Sequence, residues 1–304
     1  CPNAIGFRSV KVSGMARLQT SKVFLRFIAV VGILSVVSAC SSLKIAYSFA
    51  DDALESRAEQ YLDLDSAGEA KVEAEIARLL NWHRTAILPR YAAFLNRVAD
   101  VNDSGPWQRR EIAQAFQGFK ALIDETALGA APFIANVLKD HTTPARVDYL
   151  RAQMAVYIRD ELAEQEASFE DRLSEQVDRR VRNFERFVGP LRVDQIEIVR
   201  RHTAPNLTDR NVWLRHLERR HHALADYLQS DPDTIALTTF VHTWTTRGYE
   251  IVDPDYAKIS ETRWAKLEEL YDDMLASLDA DQRLAFSATL RGYAADLMDI
   301  AASS

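Results

Sequence analysis

Apolar residues recur along most of this chain at steps of three and four positions, the spacing that puts them on one face of an α-helix. The longest such run begins at Thr143-Pro144 and ends before Gly189-Pro190. A helix of more than about 40 residues would extend about 60 Å at 1.5 Å per residue. The pattern therefore predicts an elongated helical bundle built along one long central helix, whose apolar face would carry Val147, Leu150, Met154, Ile158, Leu162, Phe169, Leu173, Val177, Val181, Phe184 and Val188.

The same periodicity predicts further helices, and no segment alternates apolar and polar residues as a half-buried strand would. One helix begins near Ser66 and bends at Pro89, because proline removes a backbone donor. The next begins at Pro106 and stops near Gly129, and a shorter one covers 132–140. The remaining helices are predicted at 192–203, 208–229, 232–247, 254–277 and 280–301. The predicted fold class is all-α.

A short signature recurs at the predicted helix starts: a leucine, then Asp or Thr, and a glutamine three residues after that cap. Leu278-Asp279-Ala280-Asp281-Gln282 is the most complete copy. The signature predicts capping boxes, in which the Asp or Thr accepts from free amides and the glutamine reaches back to the cap. Because every helical protein needs caps, the signature alone does not indicate a function. The partial copies are Leu207-Thr208-Asp209-Arg210-Asn211, Leu191-Arg192-Val193-Asp194-Gln195 and Leu64-Asp65-Ser66-Ala67-Gly68.

The N-terminal segment has a different pattern, typical of a secretory signal. Basic residues follow Met15, and an apolar run of about a dozen residues then ends at Val37-Ser38-Ala39-Cys40. The run is too short to span a bilayer, which needs about 20 residues. Its end is typical of a lipobox, in which Cys40 is acylated and becomes the new N-terminus. We therefore expect an upstream, non-native extension at 1–14, a lipoprotein signal peptide at 15–39, a lipidated tether at 40–50 and a helical periplasmic domain at 51–304. Ser41 and Ser42, with no Asp after the cysteine, favour the outer membrane, facing the periplasm.

Charge and cysteine content narrow the classes of partner and chemistry. The chain has 44 acidic and 37 basic residues, a net charge of −7, and residues 1–39 contain no acidic residue. The remaining body is therefore more acidic still and is not expected to bind nucleic acid. Cys1 lies upstream of the predicted signal peptide at 15–39, here called the leader, so only Cys40 would remain in the mature chain. No disulfide, catalytic thiol or cysteine-based zinc site is expected.

Several motifs resemble those of a family of proteobacterial lipoproteins that is defined only as a domain of unknown function. They are the lipobox with the following Tyr47, Trp82-His83-Arg84 with Leu88-Pro89 and Tyr91, Gly189-Pro190-Leu191 with Gln195, and the terminal helix from Leu278 to Leu297. Ile87 stands where that family usually has an acidic residue, which removes one possible partner of Arg84. The resemblance implies no established activity. The helix-start signature also resembles, over those short segments only, the Leu-Thr-x-x-Gln repeats of Spy-like periplasmic chaperones.

The first candidate binding site surrounds Pro89. Trp82, His83, Arg84 and Tyr91 lie close together in the sequence there, and His83 with Arg84 could hold an anionic group. The alternative interpretation is structural: a buried, hydrogen-bonded His83 and an ion-paired Arg84 would fix the bend.

A second cluster contains His216, His221 and His222. A helical zinc site needs two histidines four residues apart, but residue 220 is an arginine and the step from His216 to His221 is five. Neighbouring arginines would also repel a cation. The sequence therefore predicts no metal site here, and a solvated or ion-paired helix face is the expected structure.

The third candidate is an arginine-rich stretch between residues 172 and 220, which contrasts with a strongly acidic segment at 250–281. Arg179, Arg180, Arg182 and Arg186 could bind an anionic envelope component such as lipid headgroups or lipopolysaccharide. Alternatively, they pair with Glu175, Asp178, Glu185 or the acidic C-terminal region.

No Gly-rich phosphate loop, Gly-x-Ser-x-Gly elbow or His-Glu-x-x-His motif occurs in the chain. The sequence therefore predicts a membrane-anchored lipoprotein, non-enzymatic and without a cofactor, that binds or scaffolds in the cell envelope. Its expected partners are the bilayer, through acylated Cys40, and an unknown envelope protein or anionic envelope component. Two alternatives stay open: a periplasmic chaperone-like holdase, and an enzyme centred on His83 or on His216 and His222.

Overall fold

Helices dominate the computed structural model, which describes residues 43–163, 167–207 and 210–303 and has no strand among them. The all-α prediction is confirmed. The leader, the lipobox Val37-Ser38-Ala39-Cys40 and the Thr208-Asp209 cap lie outside the described residues. The helices are α1 (Ala50–Tyr61), α2 (Ser66–Trp82), α3 (Leu88–Asp103), α4 (Arg109–Leu138), α5 (Pro144–Ala163), α6 (Phe169–Val188), α7 (Val193–Leu207), α8 (Arg210–Gln229), α9 (Thr234–Val252), α10 (Tyr256–Ser277) and α11 (Ala280–Ala302).

Two hydrophobic cores organise these helices. The first core joins the C-terminal half of α4 to α5, α8 and α9, with Val147, Leu228 and Leu237 at its centre. The second core joins α6, α7 and α10 to the start of α4. Every buried residue of both cores lies between Leu62 and Leu278. The segment 41–304, here called the body, therefore contains all of the buried residues of these two cores that the structure describes.

The prediction of one long helix over 143–188 is wrong. α5 ends at Ala163 and α6 begins at Phe169, and the Ser168 hydroxyl accepts from the amide of Asp171 as an N-cap. Leu162 and Phe169, which the apolar stripe places on the buried face, are 48% and 41% exposed. A stripe interrupted by only a few residues keeps its period, so periodicity does not detect the break. The two halves pack in different cores, α5 in the first and α6 in the second.

The longest helix among the described residues is instead α4, with 30 residues or about 45 Å. It was predicted as two helices separated at Gly129, but it continues through Gly129 and Pro132 to Leu138. Gly129 is required by packing, because a Cβ atom there would clash with the indole ring of Trp82. By length and composition alone α4 could cross a membrane. In the fold it packs against α2, α3, α9 and α10, and 22% of its most apolar window is buried.

The bend predicted at Pro89 is present as a π-helical turn over His83–Ile87 that links α2 to α3. Proline at 89 offers no amide, and its ring crowds the carbonyl four residues earlier. Just before Pro89 the helical hydrogen bonds shift by one residue, and the amide of Leu88 donates to the carbonyl of His83, five residues earlier. α3 then runs to Asp103.

The predicted capping box at Asp279 is confirmed, since Asp279 accepts from the amide of Gln282 and Gln282 accepts from that of Asp279. At the start of α7 the amide of Arg192 donates to Gln195 in the same way. The two glutamines also bond each other: each side-chain amide donates to the other's oxygen, at 2.8 and 3.0 Å. Both are buried. This pair joins the start of α7 to the start of α11.

Candidate functional site

A polar cavity of about 400 Å³ lies between α6, α8, α9 and α10, so helices of both cores form its walls. It receives one arginine from each of α6, α8 and α10, and no aspartate or glutamate is found among the described residues that line it. Uncharged polar and aromatic groups complete the walls. The polar lining includes Arg180, His216, Arg220, Thr246, Tyr256 and Arg263.

Arg220 is held in place mainly by α9. Its guanidinium donates to the carbonyl of Trp244 and lies over the Trp244 ring, with Cζ 4.8 Å from the centroid. Trp244 donates in return, from its indole nitrogen to the carbonyl of Arg220 at 2.8 Å. Gly248 makes room, because a Cβ atom there would clash with the guanidinium. The Nε of Arg220 is buried without a hydrogen-bond partner. Burial lowers the pKa of Arg220.

Arg180 enters the cavity from α6 and Arg263 from α10. Arg180 is half-buried, and burial lowers its pKa while the nearby Tyr271 raises it. Arg263 is exposed and donates to the hydroxyl of Tyr256 at 3.2 Å. Within the described part of the chain, no carboxylate forms an ion pair with Arg180, Arg220 or Arg263. By contrast Arg219, the neighbour of Arg220, pairs with Asp253 outside the cavity.

His216 contributes a buried, neutral ring to the same cavity. It is 4% exposed and stacks on Tyr256 with ring centroids 3.7 Å apart and planes 3° from parallel. Burial, and next the charge of Arg220, lower the pKa of His216 to about 4. Its Nδ1 is buried without a partner among the described residues. The imidazole is therefore uncharged at neutral pH and has a vacant hydrogen-bonding position.

This arrangement is suited to holding an anion. Guanidinium groups match the geometry of carboxylate and phosphate oxygens and form charge-assisted hydrogen bonds with them. Arg220 and Arg263 each use one donor within the protein, but no carboxylate among the described residues pairs with any of the three guanidinium groups, so their charges are left for an anion to compensate. A histidine with a pKa of about 4 is a weak base at neutral pH, so the cavity is better suited to binding than to proton transfer.

A second, apolar cavity of about 500 Å³ adjoins the first inside the second core. The two cavities share Arg180 and Leu267 in their walls. Aromatic rings form much of its surface, and Phe116 contacts Trp264 and Tyr271 edge to face. Apart from Arg180 and Asn183, its lining residues are apolar or aromatic, among them Trp107, Phe116, Phe119, Phe184, Phe187 and Phe286.

Comparison with protein-family models matches residues 60–243 to the family of unknown function DUF6279. The chain belongs to this family. Membership of an uncharacterised family, predicted from the sequence, is thus confirmed, while the lipid anchor and the Spy-like likeness stay predictions. The DUF6279 match includes Arg180, His216 and Arg220 but ends before Trp244, Gly248 and Arg263. Neither the curated proteins nor the solved structures contain a significant match.

The first candidate site of this DUF6279 protein consists of Trp82, His83, Arg84 and Tyr91. None of these residues lines the polar or the apolar cavity. Trp82 packs on Gly129 and beside Phe133. His83 lies against Tyr47, with its Nδ1 3.2 Å from the Tyr47 hydroxyl, and burial lowers the pKa of His83. These contacts favour the structural interpretation of the bend.

Arg84 and Tyr91 also make local contacts rather than a shared pocket. Arg84 was expected to be ion-paired, but it donates to the side-chain oxygen of Asn81 at 3.2 Å. The expected ion pair of Arg84 is therefore wrong. This chain has Ile87 where the resembled family usually has an acidic residue, and no carboxylate among the described residues pairs with Arg84. The Tyr91 hydroxyl bonds Thr126 on α4 at 3.0 Å, which fixes α3 against α4.

The four arginines of α6 lie in different environments. Arg179 pairs with Glu175 at 2.8 Å on the surface, and Arg182 and Arg186 are exposed. Only Arg180 of the four enters the polar cavity. Elsewhere in the arginine-rich stretch, pairing with acidic residues of the C-terminal region does occur: Arg201 bonds Asp273 at 2.7 Å, and Arg192 bonds Asp279 at 3.0 Å.

The histidine cluster of α8 is divided between two cavities. His216 lines the polar cavity, whereas His221 and His222 line a third cavity of about 450 Å³ with Glu218. A single site made of His216 and His222 is therefore not formed. Among the described residues no group of three His, Cys, Asp or Glu side chains lies close enough to hold a metal ion.

Sequence reasoning missed Arg220, Gly248 and Arg263 as partners of Arg180. Together with Arg180 these residues come from four different helices and are separated by up to 83 positions. The available signal was Gly248, because a glycine inside a helix often marks the close approach of another group, but the predicted helix ended at 247 and so placed this glycine outside it. That signal does not specify which side chain fills the space.

Proposed function

We propose that this DUF6279 protein is a non-enzymatic binding protein of the cell envelope, anchored through acylated Cys40, and that its polar cavity captures an anionic group. The single observation that supports anion capture is the convergence of Arg180, Arg220 and Arg263 on one cavity without a carboxylate in its lining. The envelope location rests on the lipobox pattern at Val37-Ser38-Ala39-Cys40.

The energetic argument concerns uncompensated charge. Taking a charged group out of water costs several kcal/mol unless an opposite charge or hydrogen bonds replace its hydration. Arg220 has an unpartnered buried nitrogen, and Arg180 is half-buried with no ion pair in the described chain. An anionic ligand would supply the missing acceptors. A site that gains most of its compensation from its ligand favours the bound state.

The test uses inorganic phosphate as the probe on the purified body. Thermal unfolding is followed as phosphate replaces chloride at constant ionic strength, because phosphate also stabilises proteins non-specifically by exclusion from their surfaces. Specific binding adds a saturable stabilisation that grows with ligand concentration relative to Kd. We expect Arg180→Gln to raise the apparent Kd for phosphate about tenfold, since a hydrogen bond to a charged group contributes about 1.5–3 kcal/mol.

Arg179→Gln is the matched control, because it removes the same charge from the adjacent residue, which pairs with Glu175 on the surface. It is expected to bind phosphate as the wild-type body does. If phosphate stabilised the wild-type body and both variants equally, the effect would be non-specific and the anion-binding proposal would be wrong.

A further inference from the structure

The geometry points to a single-chain anionic amphiphile as the ligand of this DUF6279 protein, an inference that rests on the proposed function. The headgroup would lie on the guanidiniums of the polar cavity, and the acyl chain would extend into the adjoining apolar cavity. The observation that motivates this is that the two cavities are neighbours, with Arg180 and Leu267 lining both of them.

The lining of the apolar cavity is suited to binding a hydrocarbon chain. Its walls carry few groups that could bond water, and two of its lining residues, Phe119 and Tyr271, are 40% and 37% exposed. A hydrocarbon chain lying there would remove apolar surface from water, which is favourable. Its volume of about 500 Å³ falls within the range of ligand sites, about 300–1,000 Å³. A chain of carbons that fills it would contact aromatic rings from α4, α6 and α11 along its length.

The size of the cavity favours one chain over two. At about 30 Å³ per methylene, close to the volume of a water molecule in the liquid, a chain of about 16 carbons fills it. A phospholipid with two such chains would need about twice that space. A free fatty acid or a lysophospholipid satisfies the volume, and the two share an anionic headgroup on a single chain.

Arg180 determines the orientation of the ligand. Among the described residues it is the one charged side chain that lines the apolar cavity, and it also lines the polar one. A chain with a neutral headgroup would leave this guanidinium uncompensated. A carboxylate or phosphate beside Arg180 would also lie in the polar cavity, which contains Arg220 and Arg263. The charge of the ligand would then fit the polar cavity, and its acyl chain would fit the apolar cavity.

The test measures binding to the purified body by isothermal titration calorimetry, with each lipid kept below its critical micelle concentration. The probes are oleate, oleoyl lysophosphatidic acid, neutral monoolein with the same chain, and inorganic phosphate with no chain. We expect both acylated anions to bind at least tenfold more tightly than monoolein and at least tenfold more tightly than phosphate. The tighter of the two anions identifies the preferred headgroup.

Two variants separate the headgroup from the chain. Arg180→Gln should weaken both acylated anions about tenfold and leave monoolein unchanged. Ala115→Trp fills the apolar cavity from α4 and should weaken every acylated ligand at least tenfold while phosphate binding is retained. Ala121→Trp adds the same ring at an exposed position of α4 and should bind as the wild type does.

The outcomes distinguish this inference from the proposal on which it rests. If phosphate binds but the acylated anions bind no more tightly, the amphiphile inference is overturned and anion capture stands. Equal affinity for oleate and monoolein would overturn it too, because the headgroup would not be recognised. If neither phosphate nor either acylated anion binds, the anion-binding function itself fails.

Discussion

At the scale of single residues, the polar cavity is defined by charges that the protein does not neutralise. Arg180 shares its helix with Arg179, which has a surface partner in Glu175, yet Arg180 turns inward and has none in the described chain. Binding sites often retain such unfavourable groups at a cost in stability. The unliganded body should therefore be less stable than its core packing alone would allow.

This leads to a prediction for Arg180→Gln in the absence of any anion other than chloride. Removing a half-buried, unpaired charge should leave the free energy of unfolding unchanged or raise it, by up to about 1 kcal/mol. Arg179→Gln, which breaks an exposed i,i+4 pair, should lower it by about 0.3–0.5 kcal/mol. Urea denaturation of the body at low salt measures both changes. A loss of more than about 1 kcal/mol in Arg180→Gln would show that Arg180 is structural.

The histidines of α8 give a second prediction at this scale, on pH. The pKa values of His216 and His221 are lowered from 6.5 to about 4, mainly by burial. The unfolded chain therefore binds protons that the folded chain does not bind between these values. Stability from the neutral rings is fully present above pH 6.5 and falls as the pH drops towards 4, at up to about 1.4 kcal/mol per pH unit for each group.

Thermal unfolding between pH 7.5 and 4.5 checks this expectation. His216→Gln should reduce the slope of stability against pH, and the double change with His221→Gln should reduce it further. His222→Gln alters an exposed member of the same cluster and should leave the slope as it is. An unchanged slope in the double variant would mean that neither ring is held neutral by the fold.

At the scale of helices, α4 shows how a tertiary contact overrides a local signal. Gly129 reads as a helix terminator in the sequence, but it is the space into which the Trp82 ring packs. Gly129→Ala should therefore lower the free energy of unfolding by about 1–3 kcal/mol through overpacking, despite the better helix propensity of alanine. Gly118→Ala is the matched control on the same helix, where a Cβ atom would be 3.3 Å from the Phe94 ring.

Chemical denaturation measures the change in the free energy of unfolding of the two variants. We expect a clear loss in Gly129→Ala, and little change or a slight gain in Gly118→Ala. In a Trp82→Leu background the Gly129→Ala change should cost little, because the clashing ring is gone. A full-size loss in that background would place the cause in the backbone of α4 rather than in the contact with Trp82.

The same comparison shows how much of the fold the sequence could predict. Helix positions followed from the period of apolar residues, and the capping box at Asp279 from its local motif, because both depend on neighbours in the sequence. The start of a separate helix at the Ser168 cap and the continuity of α4 through Gly129 were not predictable from the period alone, because the apolar stripe keeps its period across the cap and Gly129 is required by the distant Trp82 ring. The site was predictable only at Arg180 and His216, since Arg220 and Arg263 reach it through packing of separate helices.

The buried pair of Gln195 and Gln282 supports a prediction about the junction of α7 and α11. Gln195→Leu or Gln282→Leu alone leaves the partner amide unsatisfied and should cost about 1–3 kcal/mol. The double variant should cost less than the sum, with a coupling free energy of about 0.5–3 kcal/mol. Urea denaturation of the four proteins gives the cycle, and exposed Gln114→Leu serves as a control near zero. Strict additivity would mean that the two amides act independently.

At the scale of the whole molecule, the start of the body is fixed close to the proposed anchor. Lys44 pairs with Asp299 at 2.6 Å and with buried Asp296 at 3.3 Å on α11, and Tyr47 lies against His83. The four steps from Cys40 to Lys44 extend at most about 14 Å. An acylated Cys40 would therefore hold α11 and the π-helical turn near the lipid surface, from which a single-chain amphiphile could be taken up.

The last prediction concerns that anchor. Cys40→Ser removes the thiol that would accept diacylglycerol, so radiolabelled palmitate should no longer be incorporated and the precursor should stay uncleaved. Cys1→Ser is the matched control: it removes the other cysteine, upstream of the leader, and should still be labelled and processed. Both proteins are expressed as the full chain in a Gram-negative host, and labelling, size and membrane fractionation are compared. If Cys40→Ser were still cut at the same bond and retained on the outer membrane, the lipobox assignment would be wrong. Binding by the body would then have to be explained without a lipid surface beside it.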